Sequence, residues 1–179
     1  MMNGTVRTYF ENEHAVGFEK TYGKNGEYSF IAILPKRKGN FKISDLKVNK
    51  LLATETNKYD VDIYIPKFTY AWNDELDKVL CNTKIKSLFE HKKNPLRNLF
   101  INFDENIYVD TIAQSCKIIM DEEGTKAAAV TTIMAHSTTA LTEPRERKTV
   151  KLNRPFAYII RDNTTKEVMF MGKAINIAQ

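Results

Sequence analysis

The sequence has no long hydrophobic run and only two cysteines, and each shortage excludes a class of protein. No window approaches eighteen consecutive apolar residues, so a membrane-spanning helix is not expected. The N-terminus has neither a basic flank before an apolar run nor a small-residue cleavage site, so no secretion signal is predicted in the chain as written. Cys81 and Cys116 lack the spacing of a metal site, and a lone pair is no disulfide framework, so they are predicted to be buried free thiols.

Histidines are also few, and their positions argue against catalysis. His14, His91 and His136 are too scattered for a metal site. Ser115 and His136 form no recognisable nucleophile motif with the acidic residues. We therefore expect neither an enzyme nor a bound cofactor.

Charge of one sign is only modestly in excess. The net charge is +5, with basic clusters at 36–38, 92–93 and 145–148. These clusters are compatible with binding to nucleic acid or a sulfated polysaccharide, but they are short, scattered and interrupted by acids. Solvated surface is the favoured interpretation, without a nucleic-acid partner.

What the sequence does contain is alternating hydrophobicity, which predicts strands. Residues 59–65 alternate as a half-buried strand does, and Pro66 ends the pattern. Residues 29–34 form a continuous apolar run, which predicts a strand buried on both faces. Residues 156–160 and 168–171 flank a polar stretch and predict a β-hairpin.

Helices are predicted in two places only. Asn73 is a candidate N-cap for a helix over 74–80, with Leu76, Val79 and Leu80 on one face. A shorter helix is predicted around 43–52. The chain is therefore expected to be a strand-rich α+β protein with few helices.

Two long stretches, 91–106 and 137–148, show no pattern of their own and are predicted to be functional or disordered loops. The many hydrophobic strands have few helices to cover them, and exposed strand edges invite pairing with another segment. The pattern therefore suggests that part of the fold is missing from this chain.

Residues 121–139 allow two interpretations. The alanines predict a helix that starts near Thr125. However, residues 130–133 are β-branched, and small residues occupy the alternate positions 125, 127, 129 and 131, which suits a strand. The composition alone leaves loop, helix and strand open.

This segment carries a resemblance to a known family. Residues 122–129 read Glu-Glu-Gly-Thr-Lys-Ala-Ala-Ala and resemble the hinge of the serpin reactive loop. Four other stretches resemble serpin signatures in the family's order: Met1-Met2-Asn3, Asp62-Ile63-Tyr64-Ile65-Pro66-Lys67-Phe68, Asn153-Arg154-Pro155-Phe156 and Phe170-Met171-Gly172-Lys173. The chain thus resembles the C-terminal half of a serpin, from the strand preceding the sheet C/B region through the reactive loop to the C-terminus.

The resemblance implies the C-terminal portion of the serpin fold, with antiparallel sheets and a reactive loop at about 122–150 in one incomplete domain over 1–179. It implies a suicide-substrate inhibitor of serine-type or cysteine-type proteases that works by loop insertion. Gly124 would be the pivot, because glycine tolerates backbone angles closed to other residues. The implied hinge residues are Glu122, Glu123, Gly124, Thr125, Ala127, Ala128, Ala129 and Thr131.

Counting along the family's loop from Glu122 places the scissile residue at Thr138, with cleavage before Thr139. The loop is longer than in many serpins, so Ala140, Leu141 and Arg145 stay open as alternatives. The small residues suit an elastase-like or broad-specificity protease, whereas Arg145 would suit a trypsin-like one.

The implied partners are a target protease and a complementing N-terminal serpin half, with no membrane partner. Gln114 departs from the histidine that many serpins carry in this strand, and Val130 is bulkier than usual. A non-inhibitory serpin (carrier, chaperone or storage protein) and an inactive fragment are the alternatives. An extracellular location is expected from the family's habit and from glycosylation sequons at Asn3 and Asn163.

Overall fold

The computed structural model describes residues 1–99, 101, 107–121 and 145–177. Within them the chain forms ten strands: β1 (Met2–Val6), β2 (Thr8–Glu11), β3 (Ala15–Tyr22), β4 (Tyr28–Pro35), β5 (Asp60–Ile65), β6 (Phe68–Glu75), β7 (Ala113–Met120), β8 (Arg147–Lys151), β9 (Phe156–Asp162) and β10 (Val168–Ala174). The helices are α1 (Val48–Leu52) and α2 (Asp77–Leu80), with 3₁₀ turns at Ile43–Leu46, Lys86–Phe89, His91–Lys93 and Arg97–Leu99. The predicted strand-rich α+β class with few helices is confirmed.

The chain divides into two compact units. The first unit comprises Met1–Phe68 with Ile119–Gln179, and the second comprises Thr69–Ile118.

A five-stranded antiparallel sheet forms the centre of the first unit, in the order β10-β9-β4-β3-β2. Its middle strand, β4, is buried from Ser29 to Pro35. This confirms the strand predicted over 29–34, because only a strand covered on both faces retains so long an apolar run. Pro35 takes the last position of the strand.

One face of this sheet is covered by the segment that contains the first 3₁₀ turn and α1. Leu46 and Leu51 are buried there against Phe10, Ile31 and Ile33. The helix predicted over 43–52 is broken at Lys47, which has a left-handed φ of 47°. Two residues five positions apart point about 140° away from each other on a continuous helix, and the break lets both leucines face the sheet.

A second, three-stranded sheet has the order β1-β5-β8. Its middle strand, β5, alternates between buried and half-buried residues, which confirms the strand predicted over 59–65. β1 runs antiparallel to β5, whereas β8 runs parallel to it. A parallel neighbour requires a long connection, and residues 66–146 separate β5 from β8.

The predicted C-terminal hairpin is confirmed, with longer strands than expected. β9 and β10 pair antiparallel, with a register shift between Val168 and Phe170. In the turn, the Asp162 carboxylate accepts hydrogen bonds from the backbone N–H groups of Thr164 and Thr165 at 2.7 and 2.9 Å. These bonds lower the pKa of Asp162, because they stabilise its charged form.

The helix predicted over 74–80 is largely wrong. β6 continues to Glu75, and only Asp77–Leu80 is helical. Asn73 is not an N-cap, since it lies in β6 and its side-chain oxygen accepts a hydrogen bond from Ser115 Oγ of β7 at 3.0 Å. Asn73 is extended because β6 pairs with β7. This long-range pairing cannot be predicted from residues 73–80 alone.

The second unit contains most of β6 and β7, which form a two-stranded sheet. Between these two strands in sequence lie α2 and the 3₁₀ turns Lys86–Phe89, His91–Lys93 and Arg97–Leu99. The stretch predicted as loop over 91–106 contains the turns His91–Lys93 and Arg97–Leu99, and residues 100 and 102–106 lie outside the described residues. None of the described residues of this unit is buried.

The described part of the stretch 137–148 is only partly loop, because β8 begins at Arg147. No helix formed by the described residues has the length and apolar character needed to cross a bilayer.

Candidate functional site

The predicted reactive loop connects two sheets. β7 ends at Met120, and β8 begins at Arg147 in the three-stranded sheet. Almost all of the predicted site residues lie outside the described residues: Glu122, Glu123, Gly124, Thr125, Ala127, Ala128, Ala129, Thr131, Thr138, Thr139, Ala140 and Leu141. Their assignment as hinge and bait residues stays a prediction. The structure does describe the two strands that flank this segment, β7 before it and β8 after it.

The N-terminal end of the loop continues from β7, and β6 is the one strand that pairs with β7 among those the structure describes. Among the described residues the other edge of β7 has no neighbouring strand. Its backbone N–H and C=O groups on that edge are therefore open to a further strand. Gln114, the departure from the family pattern, is an exposed residue of this strand.

The C-terminal end is held more firmly. β8 pairs with β5 from Arg147 to Lys151, and Val150 and Leu152 are buried. Just before β8, the backbone N–H of Asp60 donates to the carbonyl of Glu146 at 3.1 Å. The predicted loop range of 122–150 therefore ends in strand, because residues 147–150 belong to β8.

Arg145 is the one candidate bait residue that the structure describes. Its guanidinium donates a hydrogen bond to the carbonyl of Asn57 at 3.3 Å. Sequence reasoning missed this anchor and the contact between Asp60 and Glu146. No local pattern signals either one, because both depend on the pairing of β8 with β5.

Two of the resembling stretches meet in an aromatic cluster of the first unit. The Phe68 ring lies 5.8 Å from that of Phe156 and 6.2 Å from that of Tyr158, measured between centroids. Phe30 of β4 stacks on Tyr158 at 6.2 Å. These stretches therefore build a packed scaffold behind the loop.

A third stretch packs beside the same cluster through a glycine. Gly172 lies opposite Tyr158 across the hairpin, and a Cβ at this position would collide with the Tyr158 phenol ring. Nearby, the Arg154 guanidinium donates to the carbonyl of Pro35 at 2.8 Å and ties the start of β9 to the end of β4. Among the described residues that carry the resemblance, Phe68, Arg154, Phe156 and Gly172 thus have packing roles.

The described residues offer little for direct chemistry. They contain no group of three or more His, Cys, Asp and Glu side chains placed to bind a metal ion. Ser115 Oγ donates to Asn73. Cys81 and Cys116 are free thiols, as predicted, but both are partly exposed rather than buried.

A hinge-like sequence therefore follows β7, a strand with an open edge among the described residues. Comparison with known proteins shows which family the chain belongs to. The model of the family described as "Serpin (serine protease inhibitor)" matches residues 1–177. The chain belongs to the serpin family. Members of this family are mostly inhibitors rather than catalytic enzymes.

Two serpins are similar to this chain over most of its length. Alaserpin of Manduca sexta is 31% identical over 152 residues, which are 82% of this chain and 37% of that protein. Serine protease inhibitor 88Ea of Drosophila melanogaster is 25% identical over 171 residues, 93% of this chain and 38% of that protein.

The solved structure of the thermophilic serpin Tengpin in the native state matches with a TM-score of 0.77 and 33% identity. The match covers 98% of this chain and 46% of Tengpin. The serpin fold predicted from the resemblance is therefore confirmed. The chain spans less than half the length of these serpins.

Proposed function

We propose that this chain is the C-terminal part of a serpin that inhibits serine-type or cysteine-type proteases as a suicide substrate, with residues 122–144 as the bait loop. The observation that carries the proposal is the strand context of the hinge sequence. β7 has one open edge among the described residues and leads directly into Glu122. The other end of the loop is fixed to a different sheet by β8.

In the proposed mechanism, the nucleophile of the protease attacks the scissile carbonyl and forms an acyl-enzyme with the N-terminal piece of the loop. Cleavage separates that piece from β8. It then adds to the open edge of β7 as a new strand and carries the acylated protease with it. At about 3.3 Å per residue, roughly fourteen inserted residues displace the protease by about 45 Å.

Insertion requires small side chains on the face that enters the sheet. Thr125, Ala127, Ala129 and Thr131 satisfy this requirement at alternate positions. Val130 falls on the opposite face. Gly124 supplies the pivot next to the end of β7.

Thr138 is the proposed bait residue, with cleavage before Thr139 and with Ala140 and Leu141 as alternatives. Arg145 ranks last for a structural reason. Its guanidinium and the next carbonyl are both hydrogen-bonded to the segment 57–60. A protease cleft must surround the residues on both sides of the scissile bond, and these anchors would have to break first. An elastase-like or broad-specificity protease is the proposed target.

A complementing N-terminal serpin half is the second proposed partner. This chain covers 46% of Tengpin, and no described residue of 69–118 is buried. Both findings support a fold that needs further chain to cover it. No catalytic activity, nucleic acid or membrane enters the proposal.

We further propose an extracellular location, with Asn3 as the one sequon residue suited to carry a glycan. Asn3 is exposed on β1. In contrast, the Asn163 side chain accepts from the buried Ser29 hydroxyl at 2.8 Å and donates to the Gly26 carbonyl at 2.7 Å. A glycan on Asn163 would replace one of the two hydrogens on the nitrogen that donates to Gly26, and it would need space beside this partly buried side chain.

The test is to mix the chain with the N-terminal half of a related serpin and to add an elastase-like, a subtilisin-like or a trypsin-like protease. We expect a covalent adduct that survives denaturing electrophoresis, and N-terminal sequencing of the released peptide to start at Thr139. Clean cleavage without an adduct would favour a non-inhibitory serpin. Absence of both folding and cleavage would favour an inactive fragment.

A matched pair of variants isolates insertion from cleavage. Ala129→Arg places a large charge on the entering face and should convert the inhibitor into a substrate. Ala128→Arg adds the same charge on the opposite face and should retain the adduct. Equal behaviour of the two variants would contradict insertion as a strand.

A further inference from the structure

The C-terminal end of the proposed bait loop is held by the segment 56–60, which leads into β5. The Arg145 guanidinium donates a hydrogen bond to the carbonyl of Asn57 at 3.3 Å. The next carbonyl, that of Glu146, accepts from the backbone N–H of Asp60 at 3.1 Å. Both contacts join described residues inside the first unit, so they do not depend on whether a strand edge is covered.

A contact between a lysine and a tyrosine strengthens this connection. The Lys148 ammonium group lies 4.8 Å from the centre of the Tyr59 ring and 2.8 Å from the Glu146 carboxylate. A cation over an aromatic face is attracted by the ring electrons. The Tyr59 ring also contacts the Tyr9 ring edge-on, with 5.5 Å between the centroids. Tyr59 therefore connects β8 to β2.

The segment 56–60 is in turn fixed by β2. Tyr9 and Thr56 exchange two backbone hydrogen bonds, both 3.0 Å long. The Thr8 hydroxyl donates to the side-chain oxygen of Asn57 at 3.1 Å. The carbonyl that accepts from Arg145 is therefore held in place by contacts with the five-stranded sheet.

We propose that residues 56–60 form a latch that ends the accessible bait loop before Arg145 and withholds this arginine from trypsin-like proteases. Such a protease must take the arginine side chain into its own pocket and bind the backbone on both sides of the scissile bond. In the latch, the Arg145 side chain and the Glu146 carbonyl already have other partners. Arg145 is thus a specificity-determining residue that excludes one class of protease.

This inference rests on the proposed function, because it names the proteases that the bait loop refuses. It also accounts for the basic residues just before and within β8. Arg147 lies 3.6 Å from the Asp62 carboxylate, so Arg145, Arg147 and Lys148 all have partners within the chain.

The first measurement is trypsin hydrolysis of the unchanged chain and of a synthetic peptide of residues 133–151, which has the same sequence without the latch. Mass spectrometry follows the new N-terminus at Glu146. We expect the Arg145–Glu146 bond to be cut at least about tenfold more slowly in the chain, because trypsin acts only on molecules whose latch has opened. Equal initial rates in the chain and the peptide would overturn the proposal.

A matched pair of variants locates the latch. Tyr59→Ala removes the ring that contacts Lys148 and should raise the rate of cleavage after Arg145 about fivefold. Tyr64→Ala is the control, because it removes the same kind of contact, with Lys151 at 5.3 Å, at the other end of β8. Equally fast cleavage of the two variants after Arg145 would show that Tyr59 does not hold the loop, and the proposal would fail.

Thr138→Arg separates the latch from the proposed function, because it places an arginine at the proposed bait position. Trypsin should cut the variant chain after position 138 within about threefold of the rate in a peptide with the same substitution, while the bond after Arg145 stays protected. Equal protection of both positions would indicate general shielding and would overturn the latch.

The same variant, assembled with an N-terminal serpin half, should form a covalent adduct with trypsin. Absence of this adduct would contradict the proposed inhibitory function. The choice between the two bonds is read from hydrolysis, so it decides on the latch in either case.

Discussion

The two units of this chain differ in how completely they are packed. All the buried hydrophobic residues among the described part of the chain lie in the first unit. In the second unit, Trp72, Val79 and Leu99 are 45%, 64% and 73% exposed. One unit has built its own core, whereas the other has apolar side chains and no described core to bury them.

This difference separates the scaffold of the proposed inhibitor from its moving part. A strand with few buried contacts opens at a lower free-energy cost than a core strand does. β7 belongs mainly to the loosely packed unit and leads into the hinge, whereas β4 and β9 lie in the packed one. In the proposed mechanism, β7 is the strand beside which the cleaved loop inserts.

The largest predicted effect compares one aromatic residue from each unit. Phe156 is fully buried, and Phe156→Ala should lower the free energy of unfolding by about 3–5 kcal/mol. Trp72 is 45% exposed, and Trp72→Ala should cost less than about 1 kcal/mol. Urea unfolding of both variants measures the difference, and equal losses would remove the distinction between the units.

A second prediction sharpens the account of the packed unit. Arg161 and Glu19 form a 2.8 Å ion pair with side chains 15% and 8% exposed. Arg161→Met should destabilise the chain by about 3 kcal/mol, because it leaves the Glu19 carboxylate buried without its cation. Lys36→Met breaks the exposed pair with Glu11 and should cost at most about 1 kcal/mol. Similar losses in urea unfolding would show that burial does not decide the effect.

The third prediction concerns Gly172 in the C-terminal hairpin. Gly172→Ala should cost about 1–3 kcal/mol, because the new methyl group collides with the Tyr158 ring. Gly4→Ala is the control, since its nearest new neighbour would be Ile63 Cγ1 at 3.9 Å, an ordinary contact. If thermal unfolding found the two variants equally stable, the tight packing of the hairpin would be refuted.

The smallest predicted effect is a pH dependence at the surface of the packed unit. The hydrogen bond from Lys36 lowers the pKa of Glu11 below its ordinary value. A lowered folded-state pKa stabilises the protein above the unfolded-state pKa, and this contribution is lost as the pH falls through the folded-state value. At neutral pH, the free energy of unfolding of the unchanged chain should therefore exceed that of the Lys36→Met variant by at most about 1 kcal/mol. In acid, the two free energies of unfolding should become equal. A gap that persists at pH 2–3 would contradict this origin.

Local sequence patterns predicted β4, β5, β9 and β10 of the packed unit, whereas β1, β2, β3 and β8 were not predicted. The apolar run of β4 and the alternation of β5 follow directly from burial on two faces and on one face. The C-terminal hairpin was also predicted correctly, because its two apolar runs flank a polar turn. Such patterns reflect a core that the chain itself supplies.

The same reasoning failed where pairing is long-range. Asn73 has the composition of a helix cap but lies in β6, because β7 pairs with it from about forty residues away. The parallel pairing of β8 with β5, and with it the anchoring of Arg145, was likewise invisible in local patterns. The hinge and bait residues stay predictions from the resemblance alone, since their composition allowed loop, helix and strand.

Hydrogen exchange provides the most direct test of the proposed mechanism. The chain is assembled with an N-terminal serpin half, and amide exchange is measured before and after cleavage within 122–144. Our account predicts that the amides of β7 exchange at least about tenfold more slowly after cleavage, while those of β4 do not change. Unchanged exchange in β7 would mean that no strand is added beside it, and would contradict inhibition by loop insertion.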